Sequence, residues 1–211
     1  MLGANDGILS TASLIVGVAA ADASAGTALL TGLSGLVAGA MSMAAGEYVS
    51  VSSQADTERA EEYRERAELA ASPEAERAEL AAIYRQRGLD APLALQVADQ
   101  LMAHDALGAH MRDELGITEQ LAARPLQAAA ASGASFISGA IIPVLLTPVF
   151  HGRALVIATM IVALLLLATT GALGARAGGA NMIRGAGRVV LWGALAMIAT
   201  AGIGAFFGTR I

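Results

Sequence analysis

Two acidic residues lie in stretches of sequence that are otherwise apolar enough to sit in lipid. Asp6 precedes a charge-free run from residue 7 to residue 21, and Glu47 follows another from residue 23 to residue 46. A carboxylate inside a bilayer is costly unless it faces a partner or a water-filled cavity. No basic residue lies close in sequence to either acid. Both are therefore candidates for binding a mobile cation.

Helical spacing places each of these acids on a stripe of small or polar residues. The stripes consist of Asp6, Ser10, Ser13 and Gly17, and of Gly35, Gly39, Met43, Gly46 and Glu47. One interpretation is packing, in which Gly35 and Gly39 let helices approach closely, as between two subunits, while the acids lie at headgroup level. The other is a pathway for a divalent cation lined by Asp6, Met43 and Glu47. Oxygen and thioether ligands suit Fe(II) or Mn(II) better than a tight zinc site.

The segment from about residue 52 to residue 124 carries a second set of candidate metal ligands. It contains 15 of the 18 acids and 8 of the 13 basic residues. The candidates recur at helical spacing and are Glu58, Glu61, Glu65 and Glu68, then Glu76 and Glu79, then His104, Asp105, His110, Met111, Asp113 and Glu114. Salt bridges on a solvated face, such as Glu62 with Arg66, usually explain such runs.

Two spacings within this segment point to a metal ion instead. Glu61 and Glu65 are like charges one helical turn apart, so they repel each other, and a divalent cation would relieve that repulsion. His110 and Glu114 are also one turn apart and can share one ion, although a surface pair or a cap would show the same spacing. The segment is therefore either a metal-binding domain or a solvated helical domain.

Helices must position these residues, and five of them are predicted to cross a membrane. The 211 residues are 55% hydrophobic with a mean hydropathy of +0.60, which is too apolar for an ordinary soluble domain. A helix needs about 20 apolar residues to span the hydrocarbon core. Charge-free windows occur at 7–21, 23–46, 125–152, 154–175 and 189–209. The first is short, so we expect its helix to include Asp6; a signal peptide over residues 1–22 is the alternative.

The sequence therefore predicts an all-α membrane protein with three regions. Transmembrane helices 1 and 2 occupy 1–51, a helical domain occupies 52–124, and transmembrane helices 3 to 5 occupy 125–211. Turn signals at Ser72-Pro73 and between Gly88 and Pro92 divide the inserted domain into helices near 52–71, 74–87 and 92–115. Pro143 and Pro148 predict a kink in the third span.

Charge and composition restrict orientation and chemistry. Arginines concentrate near the span ends on the side of the inserted domain, so the domain and the N-terminus are predicted to be cytoplasmic and the C-terminus outside. The chain has no cysteine, which excludes disulfides and thiolate sites. It shows no nucleophile constellation and no basic nucleic-acid patch. We expect no enzyme activity and no nucleic-acid partner.

Three features of the sequence resemble the vacuolar iron transporter family, in a short bacterial form. They are GANDGILSTASLIVGVAAA at 3–21, GAMSMAAGEYVSVSSQAD at 39–56, and a Glu-rich helical insert between spans two and three. The resemblance implies a homodimer of five-helix subunits in the bacterial inner membrane. It also implies export of Fe(II), and often Mn(II), from the cytosol in exchange for protons.

The resemblance further implies which residues bind metal. A transmembrane site falls on Asp6 and Met43. Cytoplasmic metal-binding glutamates fall on Glu65, Glu68, Glu76, Glu79 and Glu114. Two adjacent methionines of plant relatives are replaced here by His110 and Met111, and imidazole favours zinc, cobalt and nickel more than thioether does.

The sequence leaves two alternatives to Fe(II) export. The same machine could carry Zn(II), Co(II) or Ni(II) as its main cargo, or the protein could be a membrane metal sensor or buffer that does not transport. In each case we expect no cofactor beyond the divalent metal itself, whether Fe(II), Mn(II) or Zn(II). The expected partners are a second subunit, membrane lipid, metal ions and protons.

Overall fold

A computed structural model describes residues 2–118 and 123–208 of the chain. Within these residues it contains seven α-helices and no strand. The helices are α1 (Leu2–Ala20), α2 (Ala25–Ala71), α3 (Pro73–Gln86), α4 (Ala91–Asp113), α5 (Pro125–Leu146), α6 (Gly152–Ala177) and α7 (Met182–Gly208). Five of them, α1, α2, α5, α6 and α7, are long and apolar enough to cross a membrane. The predicted all-α class and number of spans are confirmed.

Helix α2 corrects the prediction of two separate helices over span two and the start of the inserted domain. It runs for 47 residues from Ala25 to Ala71 without interruption. The sequence between Gly46 and Ser72 contains no proline or glycine that would end a helix. It stops at Ala71 because Ser72 precedes Pro73, and a residue before proline is disfavoured in the helical conformation.

The chain divides into two compact units. One combines the residues up to Tyr48 with those from Leu126 onward, and the other is Val49–Pro125. We refer to them as the membrane unit and the inserted unit. Each is described by itself below.

Helix α1 lies at the centre of the membrane unit. Its residues Ile8 and Ala12 pack against Ala163, Leu167 and Met197 of α6 and α7. One turn further along, Ile15 and Ala19 pack against Ala28, Val144 and Leu155 of α2, α5 and α6. The small and β-branched residues of α1 thus form a core shared by all four other long helices.

Glycines allow the closest of these approaches. A Cβ atom at Gly204 of α7 would overlap the carbonyl oxygen of Gly17 on α1, and one at Gly7 would overlap the carbonyl oxygen of Phe136 on α5. A Cβ at Gly35 would press on Leu14 of α1, and one at Gly39 would overlap the Phe136 ring. The contact made by Gly35 and Gly39 therefore lies within the subunit, contrary to our expectation of a face between subunits.

The inserted unit consists of the last part of α2 with α3 and α4. Its core is formed by Leu80 and Ala81 of α3 and by three alanines of α4, Ala94, Ala98 and Ala109. Alanine at these positions brings α3 and α4 close together. Arg77 of α3 also makes a two-bond ion pair with Asp99 of α4.

Helix α4 departs from the continuous helix predicted at 92–115. Asp90 caps its start by accepting from the Leu93 N–H at 2.8 Å. At Asp105 the backbone leaves the helical conformation (φ −159°, ψ 92°), and the Asp105 carboxylate accepts from the Gly108 N–H at 3.0 Å. This geometry is an N-cap placed inside the helix. The helical segment after Asp105 is therefore kinked relative to the segment before it.

Helix α5 accommodates one proline and ends before the other. Pro143 lies inside the helix and is buried, whereas Pro148 follows the last helical residue, Leu146. The Thr147 hydroxyl and N–H both donate to the Val144 carbonyl at the end of the helix. Pro148 thus follows the stop, and Pro143 belongs to the packed interior.

Candidate metal centre

Three helices of the inserted unit bring four predicted metal ligands together. Glu65 comes from α2, Glu76 from the first turn of α3, and His110 and Glu114 from the end of α4. The Nδ1 atom of His110 lies 2.9 Å from a Glu114 oxygen, 3.1 Å from a Glu65 oxygen and 3.8 Å from a Glu76 oxygen. One imidazole nitrogen therefore faces three carboxylates. We call these four residues the carboxylate–histidine cluster.

The cluster is buried and incompletely hydrogen-bonded. The exposed fraction is 0% for His110, 3% for Glu65 and 7% for Glu76. Nδ1 of His110 is hydrogen-bonded to Glu114, and Oε1 of Glu65 lies 3.1 Å from the same nitrogen without making a hydrogen bond. Nε2 of His110 has no hydrogen-bond partner among the described residues. Buried polar atoms normally have partners. Their absence here distinguishes the cluster from an ordinary surface salt bridge.

Burial and crowding raise the pKa of both buried glutamates. For Glu65, burial is the largest cause, followed by the negative charge of Glu114, and the nearby His110 opposes the shift. For Glu76, burial is again the largest cause, followed by the charge of Glu79. The carboxylates thus hold their negative charges at a cost, which a bound cation would offset.

The size of the group fits a single divalent ion. One ligand atom from each of the four residues lies within 4.8 Å of all the others. Ligands on opposite sides of a transition-metal ion, with bonds of about 2.1 Å, are about 4.2 Å apart. Side-chain shifts below about 1 Å would therefore close the group on one ion. Three carboxylates and one imidazole are a donor set that iron, manganese, cobalt and zinc accept.

The remaining predicted ligands of the inserted unit lie around the cluster or away from it. Glu68 and Glu79 are exposed, but their charges reach the cluster, since Glu68 contributes to the raised pKa of Glu65 and Glu76. Glu61 instead forms an ion pair with Arg64, which supplies the positive charge that we had assigned to a metal. The Glu62–Arg66 salt bridge forms as predicted, at 2.7 Å.

Met111 follows His110 in the sequence and faces a cavity. It lines a separate cavity of about 710 Å³ in the inserted unit, together with Glu58, Glu62, Asp105 and Arg112. Neighbouring positions on a helix face different directions, so burial of His110 against the glutamates turns Met111 toward this cavity. The structure therefore separates these two adjacent predicted ligands.

The predicted membrane ligands are not joined into one group by the described residues of this chain. Asp6 and Glu47 are both exposed, on α1 and α2, and no hydrogen bond or ion pair links their carboxylates. Met43 is half-buried and packs against Ala40 and Phe136. Next to Asp6, the Asn5 side chain accepts a hydrogen bond from Thr170 of α6, which fixes the rotation of α1.

Two features that support the cluster were missed from the sequence. One is the internal cap at Asp105, where the D-x-x-G spacing to Gly108 was the available signal. The other is a set of hydrogen bonds to Asp113, which accepts from Tyr84 at 3.0 Å and from Arg87 at 2.7 Å. Burial would raise the pKa of Asp113, but hydrogen bonds from Arg87, Arg112 and Tyr84 outweigh it and hold the pKa below its usual value. These bonds fasten α3 to the end of α4, beside Glu114.

Comparison with known proteins gives a match over nearly the whole chain. Residues 1–205 match the profile of the VIT family. The chain belongs to the VIT family. It is 48% identical to a vacuolar iron transporter of Acanthamoeba castellanii, over 97% of this chain and 76% of that protein.

More distant VIT family relatives occur in plants. The chain is 36% identical to vacuolar iron transporter homolog 5 of Oryza sativa subsp. japonica, over 96% of this chain and 76% of that protein. It is 34% identical to vacuolar iron transporter homolog 2 of Arabidopsis thaliana, over 99% of this chain and 82% of that protein. The family match covers both units, so the inserted unit is included in the similarity to these VIT proteins.

Proposed function

We propose that this chain is an integral membrane transporter that exports Fe(II), and also Mn(II), from the cytosol in exchange for protons. The carboxylate–histidine cluster carries the proposal, because three carboxylates and an imidazole that converge in one place, with Glu65, Glu76 and His110 buried, fit a divalent cation. Five apolar helices and the names of the VIT relatives, which refer to iron transport, support a transporter.

The two units would have different roles. The cluster, with Glu68 and Glu79 at its edge, gathers the ion on the cytoplasmic side. Asp6, Met43 and Glu47 then bind it during the crossing. Because Asp6 and Glu47 are exposed on the surface of a single chain, the crossing site would be completed by a second subunit in a homodimer. Apolar surfaces of the long helices contact lipid in the bacterial inner membrane.

Proton exchange follows from the ligands. A carboxylate must lose its proton to bind a metal ion, and it regains one when the ion leaves. If Asp6 and Glu47 release the ion outside and return protonated, export and proton uptake are properties of one site. In this proposal the N-terminus and the inserted unit lie in the cytoplasm, because arginines are concentrated at the span ends on that side.

Metal flux into proteoliposomes tests this proposal. Vesicles containing the purified protein, an internal metal indicator and an internal pH indicator would receive Fe(II), Mn(II), Zn(II), Co(II) or Ni(II) outside. We expect saturable Fe(II) entry, accompanied by proton release from the vesicle, and similar entry of Mn(II). Protein-free vesicles provide the baseline.

The same assay separates the alternatives. Much faster entry of Zn(II), Co(II) or Ni(II) than of Fe(II) would change the proposed main cargo and leave the proposed transport mechanism in place. Metal binding to the reconstituted protein with no entry above the baseline would refute transport and indicate a membrane sensor or buffer. Fe(II) entry without any change of internal pH would refute proton exchange alone.

A further inference from the structure

The carboxylate–histidine cluster contains one donor that is not an oxygen. Its other three members are glutamates, and the thioether of the neighbouring Met111 lines a different cavity. The imidazole of His110 is completely buried, and its Nδ1 faces the three carboxylates at 2.9–3.8 Å. A single side chain therefore decides whether this group is an all-oxygen site or a mixed nitrogen and oxygen site.

That difference matters for which cations compete. Mg(II) and Ca(II) are hard ions that take oxygen ligands, whereas imidazole nitrogen suits iron, cobalt, nickel and zinc. A group of carboxylates alone would bind Mg(II), Ca(II) and Mn(II) with little distinction. Replacing one oxygen ligand by nitrogen strengthens binding of the transition metals and leaves the hard ions with one preferred ligand fewer.

Burial acts in the same direction. Glu65, Glu76 and His110 are each less than a tenth exposed, so an ion must give up most of its water to contact all of them. Mg(II) loses its water reluctantly and usually retains several water molecules when bound to proteins. Only the Glu114 side, where a quarter of the side chain is exposed, leaves room for retained water.

We infer that His110 is the specificity-determining residue of this site. Its imidazole lets the inserted unit bind iron and similar divalent transition metals in preference to Mg(II) and Ca(II). The inference rests on the proposed function, in that it assumes a metal ion at the cluster. It goes further by assigning discrimination to one side chain. The three carboxylate contacts of His110 are all made by Nδ1, and Nε2 has no hydrogen-bond partner among the described residues.

Competition for Co(II) tests the inference. The full-length protein in detergent micelles would be titrated with Co(II), followed by its visible absorption, in the presence of increasing Mg(II). We expect His110→Gln, which supplies an amide oxygen, to lower the ratio of Co(II) to Mg(II) affinity by about tenfold or more, since a change to a residue that only supports a ligand already costs about that much. His110→Met, which supplies a soft sulfur, should lower that ratio less.

His104→Gln is the matched control, because His104 lies on the same helix before the Asp105 break and is exposed. It should leave the ratio unchanged. A second readout needs no variant: pulsed electron paramagnetic resonance of the Mn(II)-loaded wild type should detect hyperfine coupling to a directly bound nitrogen.

The outcomes are distinct. An unchanged affinity ratio in folded His110→Gln, or Mn(II) bound without nitrogen coupling, would overturn the role of His110 while leaving a metal site in place. Failure of the wild type to bind Co(II) or Mn(II) at all would overturn the cluster as a metal site, and this inference with it.

Discussion

Glu76 is a buried glutamate whose negative charge destabilises the folded protein when no metal ion is bound. Its carboxylate lies in the first turn of α3, where the helix dipole favours negative charge, yet burial and the nearby Glu79 raise its pKa. Without metal, the folded protein therefore binds a proton at Glu76 more tightly than the unfolded chain does. That contribution to stability is complete below the ordinary pKa of 4.5 and is lost as pH rises through the raised pKa.

We predict that Glu76→Gln stabilises the metal-free protein at pH 7.5. The amide keeps the size of the side chain and removes the buried charge, so the melting temperature should rise by about 2–4 °C, which corresponds to about 1 kcal/mol in a chain of this size. Near pH 4.5 the difference from wild type should be smaller. Thermal unfolding in detergent after chelation of metals measures both.

The same variant should lose the stabilisation that metal provides. If the cluster holds a metal ion, Mn(II) should raise the melting temperature of the wild type, whereas Glu76→Gln, with one anionic ligand fewer, should respond less. Glu74→Gln is the control, because Glu74 lies in the same helical turn but is exposed. A metal-free Glu76→Gln protein less stable than wild type at pH 7.5 would contradict a buried, unfavourable charge.

All four residues of the cluster were among the ligands predicted from the sequence, but the sequence could not distinguish them from the other predicted ligands. Helical spacing shows which residues share a face of one helix, and it placed Glu61, Glu65 and Glu68 together. It does not show which face meets another helix, so it could not distinguish Glu65, which is buried, from Glu61, which pairs with Arg64. That distinction depends on the packing of α2, α3 and α4.

At the scale of helices, the break in α4 determines where His110 lies. The Asp105 carboxylate caps the segment that carries His110 and Glu114, and a Cβ atom at Gly108 would overlap that carboxylate. The sequence predicted the bounds of α3 well because Pro73 and Gly88 mark them. It missed the break because Asp105 is surrounded by good helix formers. It missed the continuity of α2 because the change from apolar to charged residues near residue 52 was interpreted as a boundary, although no proline or glycine lies between Gly46 and Ser72.

We predict that Asp105→Ala weakens metal binding at a distance. Loss of an N-cap costs about 1 kcal/mol, and an uncapped segment would hold His110 and Glu114 less firmly. Thermal unfolding should show that loss, and Mn(II) titration should show a lower affinity. Asp105→Asn, which keeps a capping oxygen, should restore both. Equal Mn(II) affinity in Asp105→Ala and wild type would show that the cap has no influence on the site.

A pair of glycines on α7 tests the packing of the membrane unit. Gly204 abuts the backbone of Gly17 on α1, whereas nothing lies within 4 Å of a Cβ atom at Gly202. Gly204→Ala should therefore destabilise the protein, since two backbones would have to separate, and Gly202→Ala should be neutral or slightly stabilising because alanine favours helix. Thermal unfolding measures the melting temperatures of the two variants. Equal melting temperatures would contradict the close approach of α1 and α7.

For the whole molecule, we propose that the inserted unit captures the ion and that Asp6, Met43 and Glu47 bind it during the crossing. These roles predict different kinetic defects. Loss of capture lowers the chance that an ion enters at low concentration, and a high concentration compensates for it. Loss of a crossing ligand affects every transport event, and no concentration compensates.

The initial rate of Fe(II) uptake into proteoliposomes, measured over a wide range of Fe(II) concentration, tests this division most directly. We predict that a Glu65→Gln, Glu76→Gln double variant has a raised KM and a maximal rate near that of wild type. Asp6→Ala, in folded protein, should have almost no uptake at any concentration. Wild-type rates in Asp6→Ala, or a double variant whose maximal rate falls as far as that of Asp6→Ala, would contradict the account.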